Sequence, residues 1–341
     1  MWTRRQMIAA AGTLPVSGLV RAQIRPPVSR FRAAAEYSAE RRGVSLLIMR
    51  DGEVLFEDYP RSGGATKAWE LASGTKSFTG IMAAAAQADG LLDIDASCAS
   101  LLPEWEDDTR NAISVRHLLT LTSGLEEVGE IARPPVYADA ITARVGARPG
   151  STFDYGPTPF QIFGEMLRRS LRGADRATDP VAWLAHRILD PIGVRFDDWK
   201  RGRDGNPYMP QGGQFTARNW AKFGQWVSDG AAGVDREVFA ALFEPTAANP
   251  GYGLSWWLLR PGLIGPSPRA GIDVEALARV ALDEDIVMAA GAGDQRLYLL
   301  RDRGLVVARQ ANQIVRGMLQ QRRASRRWSD GEFLRLLLEV I

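Results

Sequence analysis

Residues 44–59 read V-S-L-L-I-M-R-D-G-E-V-L-F-E-D-Y. Two apolar runs flank Asp51-Gly52, the dipeptide whose backbone most readily takes the positive φ of a tight hairpin turn. The stretch therefore predicts a β-hairpin close to the N-terminus. A second pair of β-like runs stands near the other end, Arg296 to Leu300 and Gly304 to Arg309, separated by Arg301-Asp302-Arg303. Between them the pattern changes. Residues 73–88 are small and apolar with few breakers, which predicts a buried helix, and residues 88–240 read as helical and loop-rich, punctuated by Pro103, Gly124, Pro149-Gly150 and Gly212-Gly213. Residues 329–341 resemble an amphipathic helix. Strands at both ends and helices in the middle predict an α/β chain of the α+β type. It has one antiparallel sheet assembled from the two terminal regions and flanked by helices, with a mostly helical insertion.

The composition suits that layout. The chain has 341 residues, 45% hydrophobic and 24% charged, which is globular composition and enough for one large domain. Basic and acidic residues nearly balance, 42 against 40, for a net charge of +2. There is no electrostatic footprint for a polyanion, so no nucleic-acid partner is expected. Cys98 is the only cysteine, which excludes an internal disulfide framework and a thiolate cluster, and two histidines, His117 and His186, leave little for a metal site. No membrane span and no obligate protein partner are expected. Lysine occurs only at positions 67, 76, 200 and 222, so a lysine inside a motif is unusually informative.

Residues 1–23 begin M-W-T-R-R-Q-M-I-A-A-A-G. Arg4-Arg5 before a mildly apolar stretch, with Val20-Arg21-Ala22 as a cleavage site, reads as a twin-arginine export signal over residues 1–22. The expectation is an exported, periplasmic protein whose mature part, residues 23–341, is a single domain. Its sheet part covers about residues 35–87 and 245–341 and its helical part about 88–244.

Three elements carry chemistry. The first is Ser73-Gly74-Thr75-Lys76. On a helix, positions i and i+3 share a face, so the hydroxyl and the amine can meet. A serine needs a base to become a nucleophile at neutral pH, and a buried lysine of lowered pKa can be that base. The second is Pro149-Gly150-Ser151-Thr152-Phe153-Asp154-Tyr155-Gly156, where Tyr155 precedes an apolar helical run, Phe160 to Leu167. A tyrosine beside a lysine ammonium can have a depressed pKa and relay protons. The third is Ala289-Ala290-Gly291-Ala292-Gly293-Asp294-Gln295, whose small residues allow close approach and whose backbone N–H groups could complete an oxyanion hole with that of Ser73. Read singly, each has a plainer explanation: a chance S-x-x-K, a packed tyrosine, a glycine-rich turn.

Further stretches change those weights. Ser114 to Leu125, S-V-R-H-L-L-T-L-T-S-G-L, closely resembles a signature of the class C β-lactamase-like serine hydrolases. So do Leu92-Asp93-Ile94-Asp95, Leu102-Pro103-Glu104-Trp105, the P-G-S-T-F-D-Y run, Asp190-Pro191-Ile192-Gly193, residues 215–224 and the closing R-L-Y-L-L-R-D-R-G-L-V-V-A-R-Q. They occur in family order over about residues 35–341. The resemblance implies a β-lactamase/transpeptidase-like fold with the active site between the sheet and the helical part. It also implies that Ser73 is the acylated nucleophile, Lys76 its base partner, and Tyr155 the residue that helps activate Ser73 or the deacylating water. The backbone of Ser73 with that of Ala292 or Gly293 would form the oxyanion hole, and Gly291, Pro157 and Trp257 would contact substrate. No metal or organic cofactor is implied.

Two departures bear on substrate. Where the family often has Tyr-x-Asn or Tyr-x-Ser, this chain has Tyr155-Gly156-Pro157, and Pro157 offers neither a side-chain hydrogen bond nor an N–H. Where the family often begins its third motif with Lys-Thr-Gly or His-x-Gly, a run of small residues stands, so no cation meets a β-lactam carboxylate unless Arg296 or Arg301 reaches in. Both changes resemble the esterase and 6-aminohexanoate-dimer hydrolase branches. The expected activity is hydrolysis of small esters or amides through an acyl-enzyme. The alternatives are a β-lactamase or D,D-peptidase, or a penicillin-receptor-like protein that binds without turnover. His117 and His186 are not expected to form a catalytic triad, the pairs Asp107-Asp108 and Asp197-Asp198 read as solvated caps or turns, and Asp204-Gly205-Asn206-Pro207 reads as a turn. One ring of Trp256-Trp257 is expected to line a pocket and the other to pack in the core.

Overall fold

The computed structural model describes residues 31–130, 132–176, 178–266, 272, 284–315 and 327–339. The expected export signal, residues 1–22, lies outside the described residues. The chain enters through helix α1 (Arg32–Glu40) and turns into the hairpin of β1 (Gly43–Arg50) and β2 (Glu53–Asp58), with Asp51 and Gly52 at φ 51° and 80°. A short strand β3 (Trp69–Glu70) precedes helix α2 (Lys76–Ala88). The helical part holds α3 (Val115–Leu119), α4 (Tyr137–Ala140), α5 (Thr158–Gly173) and α6 (Pro180–Leu184). Then come β4 (Asp198–Trp199), β5 (Gly213–Phe215), α7 (Ala217–Ser228), α8 (Arg236–Ala241) and β6 (Trp257–Leu258). The chain returns to the sheet with β7 (Ile286–Gly291), β8 (Gln295–Leu300) and β9 (Leu305–Ala311), and α9 (Asp330–Leu338) follows.

The main sheet is antiparallel in the order β2-β1-β9-β8-β7-β6, so the first hairpin and the last one meet at the β1–β9 pair. Period-two alternation sorts its side chains. On β8, Leu297 and Leu299 face α7, where Gly224 lets the helix come close, whereas Arg296 and Tyr298 face α9. Both faces are therefore covered, and β7, β8 and β9 are buried throughout.

Two features differ from the sequence reading. Strand β7 is not legible in the sequence, because a strand buried on both faces reads as a continuous apolar run without alternation, and β6 has only two residues. A second small sheet, β3-β5-β4, also forms from two- and three-residue strands too short to leave a pattern. In addition, α6 runs on into a π-turn at Ala185–Leu189.

Helix α2 lies in the core. It is buried from Lys76 through Ala86, and its buried hydroxyls are satisfied locally, Ser77 Oγ donating to the Gly74 carbonyl at 2.8 Å and Thr79 Oγ1 to the Lys76 carbonyl at 2.6 Å. Its Ala-rich sequence lets neighbours approach, and Gly80 goes furthest: a Cβ there would collide with the Leu254 carbonyl oxygen and the Leu242 side chain. In an exposed helix Gly→Ala stabilises by about 1 kcal/mol. At Gly80 the sign should reverse, and Gly80→Ala should cost about 1–3 kcal/mol in denaturant unfolding; a variant as stable as the parent would show that α2 is not packed this closely.

Candidate active site

Strand β3 delivers the chain to the turn that carries Ser73. Leu71 donates its N–H to the Gly213 carbonyl at 3.0 Å, which ties the turn to β5. Ala72, buried and non-glycine, is held at φ 47°, and the tight helical turn Ala72–Thr75 follows before α2. A left-handed alanine costs about 1 kcal/mol or more and is retained only where the surroundings enforce it. It turns the chain sharply, so that half-buried Ser73 stands at the start of a buried helix.

One turn on, Lys76 Nζ lies 3.0 Å from Ser73 Oγ and donates to the Pro210 carbonyl at 3.2 Å. Lys76 is only 3% exposed. Its amine sits over the faces of the Tyr155 and Phe160 rings, 4.9 and 5.2 Å from their centroids. Burial drives its pKa down to about 7, against an upward pull from Glu127. At neutral pH a large fraction of this amine is free base within hydrogen-bond reach of a serine hydroxyl, the arrangement that proton abstraction from Ser73 requires.

The third expected member, Tyr155, is brought to the same place, with one correction. Its pKa is not depressed: burial pushes it up to about 12, opposed by contact with the Ser73 hydroxyl and by the Arg296 charge. Lys76 meets the ring face, so the phenol stays neutral and can donate a proton. Trp257 is also corrected. It is 3% exposed, as buried as its neighbour Trp256, and it packs on Tyr155 with ring centroids 5.5 Å apart, inside a cluster with Tyr252 and Phe153. It supports Tyr155 and does not line an open pocket.

Gly291, Ala292 and Gly293 form the β7–β8 connection. Gly291 is buried, and a Cβ on it would collide with the Leu71 carbonyl oxygen and crowd the Gly74 N–H at 2.9 Å. It is a spacer that lets β7 abut the Ser73 turn, which corrects its expected place on a substrate-facing surface. Ala292 is half-buried, and Gly293 (φ 74°) packs on Ile314. Neither arginine reaches in as a free cation. Arg296 is committed to Asp330, and Arg301 lies at the other end of β8, paired with Asp285 at 3.2 Å and stacked on Phe243.

Pro157 is buried at the start of α5 and supplies no donor. The sequence reading missed Glu127. Its residue surface is open to solvent, but its carboxylate turns inward and accepts from Thr158 N–H (3.1 Å) and Thr158 Oγ1 (2.6 Å). Desolvation of that carboxylate raises its pKa. Gly156 leaves the room it occupies. Nothing marked Glu127 in sequence, since it lies in a loop without periodicity, and the Pro210 carbonyl, being backbone, leaves no residue signal. His117 serves its own helix, with Nδ1 accepting from Ser114 N–H at 3.2 Å, and His186 is exposed on the π-turn. Among the described residues no cluster of His, Cys, Asp or Glu is placed to hold a metal, and no helix is long and apolar enough to cross a membrane.

Comparison with known proteins gives the fold a lineage. The beta-lactamase family model matches residues 30–330. A curated relative, protein flp of Staphylococcus aureus (strain COL), is 22% identical over 190 residues, and the match spans 50% of this chain and 38% of that protein. Among solved structures, a beta-lactamase/D-alanine carboxypeptidase from Pseudomonas syringae superposes with a TM-score of 0.65 at 16% identity, covering 92% of this chain and 97% of that one. EstCE1, a hydrolase with promiscuous acyltransferase activity, gives the same TM-score, identity and coverage. A D-stereospecific amidohydrolase from Streptomyces sp. gives 0.62 at 14% identity, covering 88% and 99%. At these identities the superpositions establish the β-lactamase/transpeptidase-like fold.

The buried amine makes a signed prediction. The folded pKa of Lys76 lies below its ordinary value of 10.5, so the fold bears the cost of desolvating the charge in full below pH 7, and stability rises with pH between about 7 and 10.5. Lys76→Met should melt higher than the parent at pH 6, by roughly 5 °C, with the gain shrinking to nothing by pH 10.5. A gain independent of pH, or a loss at pH 6, would mean that Lys76 is not held near neutrality.

Proposed function

The chain belongs to the beta-lactamase family, and from that premise we propose that it is a serine hydrolase that works on small esters or amides through an acyl-enzyme. The observation that carries this reading is the 3.0 Å contact between Ser73 Oγ and the Lys76 amine, whose pKa is brought down to about 7. Neutral Lys76 takes the Ser73 proton as Oγ attacks the substrate carbonyl. The oxyanion is held by the N–H groups of Ser73 and Ala292; one such donor is typically worth about 10²–10³ in rate. The intermediate collapses, and the leaving alcohol or amine receives the proton from Lys76, directly or through the Tyr155 phenol. Water then attacks the Ser73 ester, giving a proton to the same pair; the second intermediate collapses with cleavage of the bond to Oγ, which takes that proton back as the acid leaves. The signal read in residues 1–22 extends the proposal to an exported, periplasmic enzyme.

Substrate class follows from what surrounds the serine. The Asp154 charge acts on Glu127, and the Glu127 charge acts on Lys76. Both arginines that might have met a carboxylate are already paired. An anionic β-lactam would meet negative charge, whereas a neutral ester or amide would not.

Two chromogenic substrates test this. p-Nitrophenyl butyrate should be turned over with a kcat/KM about 100-fold or more above that for nitrocefin, a difference of roughly 3 kcal/mol. Ser73→Ala should abolish ester turnover by at least about 10³-fold. The kcat/KM for the ester should fall below pH 7 as Lys76 becomes charged. Nitrocefin turnover equal to that of the ester would make the protein a β-lactamase, and no turnover of either by folded protein would favour a binding protein.

A further inference from the structure

Arg296 is 2% exposed and its partner Asp330 is fully buried. Its Nε donates to Asp330 Oδ1 at 2.7 Å and its Nη2 to Oδ2 at 3.2 Å. The same carboxylate accepts from Tyr298 OH at 2.5 Å and Trp328 Nε1 at 2.9 Å, and Asp330 opens α9, where the helix dipole favours an anion. A buried ion pair is weak evidence of stabilisation, because desolvation offsets most of the attraction. What distinguishes this pair is where Nη1 of Arg296 goes. Nη1 of Arg296 donates to the carbonyls of Gly291 (3.2 Å) and Gln295 (3.0 Å), the two residues that face each other where β7 passes into β8.

The Gly291 carbonyl belongs to the same peptide as the Ala292 N–H. The described chain has no cis peptide, so this C=O and N–H point in opposite directions. With the oxygen turned toward Arg296 on the β8 side, the N–H points to the other edge of β7. Among the described residues no strand pairs with that edge at this end, since β6 pairs with Val287 and Met288. The Ser73 turn lies against β7 at this end, since Gly291 abuts Leu71 and Gly74. A cationic donor on a carbonyl polarises its peptide and strengthens the opposite N–H, by about 10–30% per bond in cooperative chains. Two more buried arginines hold the far side of the turn: Arg309 donates to the Asp294 carbonyl at 2.5 Å and Arg42 pairs with the Asp294 carboxylate at 2.7 Å.

We propose that Arg296, itself fixed by Asp330, is a positioning residue that orients and polarises the Gly291–Ala292 peptide, so that the Ala292 N–H donates to the oxyanion formed at Ser73. The proposal rests on the serine-hydrolase reading above and adds to it the residues that build the second oxyanion donor. It couples the C-terminal helix to the chemistry through one ion pair.

The test compares Arg296→Lys and Asp330→Asn with the parent in the full chain, using p-nitrophenyl butyrate and an alkyl trifluoromethyl ketone that forms an anionic tetrahedral adduct on the serine. A lysine keeps the charge but cannot hold Asp330 and the two carbonyls at once. The expected result is a fall in kcat of about 10–100-fold with KM changed less than about twofold. The inhibition constant of the ketone should rise by the same factor as kcat/KM falls, while the acid limb of the pH profile stays near 7. A purely structural role would not make inhibitor affinity track the rate. If Arg296→Lys does not fold, Asp330→Asn carries the test, because it keeps the side chain's size and releases the guanidinium. A folded variant with parental kcat, or one whose kcat falls while the inhibition constant is unchanged, overturns the proposal. Absence of Ser73-dependent turnover in the parent would instead overturn the underlying reading.

Discussion

A lysine amine held out of water against a serine hydroxyl is the constraint on which the rest of this structure turns. Burying Lys76 is unfavourable in the charged form, and among the described residues no carboxylate forms a direct ion pair with it. Its near neighbours are a hydroxyl, the Pro210 carbonyl and two aromatic faces. Glu127 acts on the amine only through space. The surroundings solvate the amine enough to keep it in place and too little to keep it charged. A close carboxylate would have raised the pKa and removed the base.

Several unrelated features make sense as support for that environment. Helix α2 is buried from Lys76 through Ala86, which keeps its first residue, the lysine, out of water. The strained φ of Ala72 and the missing Cβ of Gly291 let β3, the Ser73 turn and β7 converge in a space that ordinary side chains would fill. The cluster of Tyr155, Tyr252 and Trp257 excludes water from the amine and raises the Tyr155 pKa at the same time. One act of desolvation therefore shifts two groups in opposite senses, making the lysine a better base and keeping the tyrosine a neutral donor.

Much of the layout was legible in the sequence, for local reasons. Asp51-Gly52 can hardly be anything but a hairpin turn, and the three-residue spacing of Ser73 and Lys76 on an unbroken apolar run places them on one helix face. Tyr155 was visible through its motif, but its titration was not, because proximity to a cation says nothing about which part of the ring the cation meets. Strand β7 was hidden by its burial on both faces and β6 by its two-residue length. Glu127 and Pro210 act from loops, and Arg296 finds Asp330 across 34 positions of sequence. Such pairs are fixed by the register of a sheet and the docking of a terminal helix, which no local pattern encodes. Trp257 shows the opposite error: an aromatic pair near a motif looked like a pocket wall and is packing behind the tyrosine.

The account depends on Ser73 being acylated, and the most direct measurement is intact-protein mass spectrometry after rapid acid quench during steady turnover of p-nitrophenyl butyrate. The predicted result is a butyryl mass increment on a fraction of the protein, located by peptide mapping to the segment containing Ser73 and absent from Ser73→Ala. Turnover with no increment at any quench time, or an increment that maps elsewhere, would contradict it.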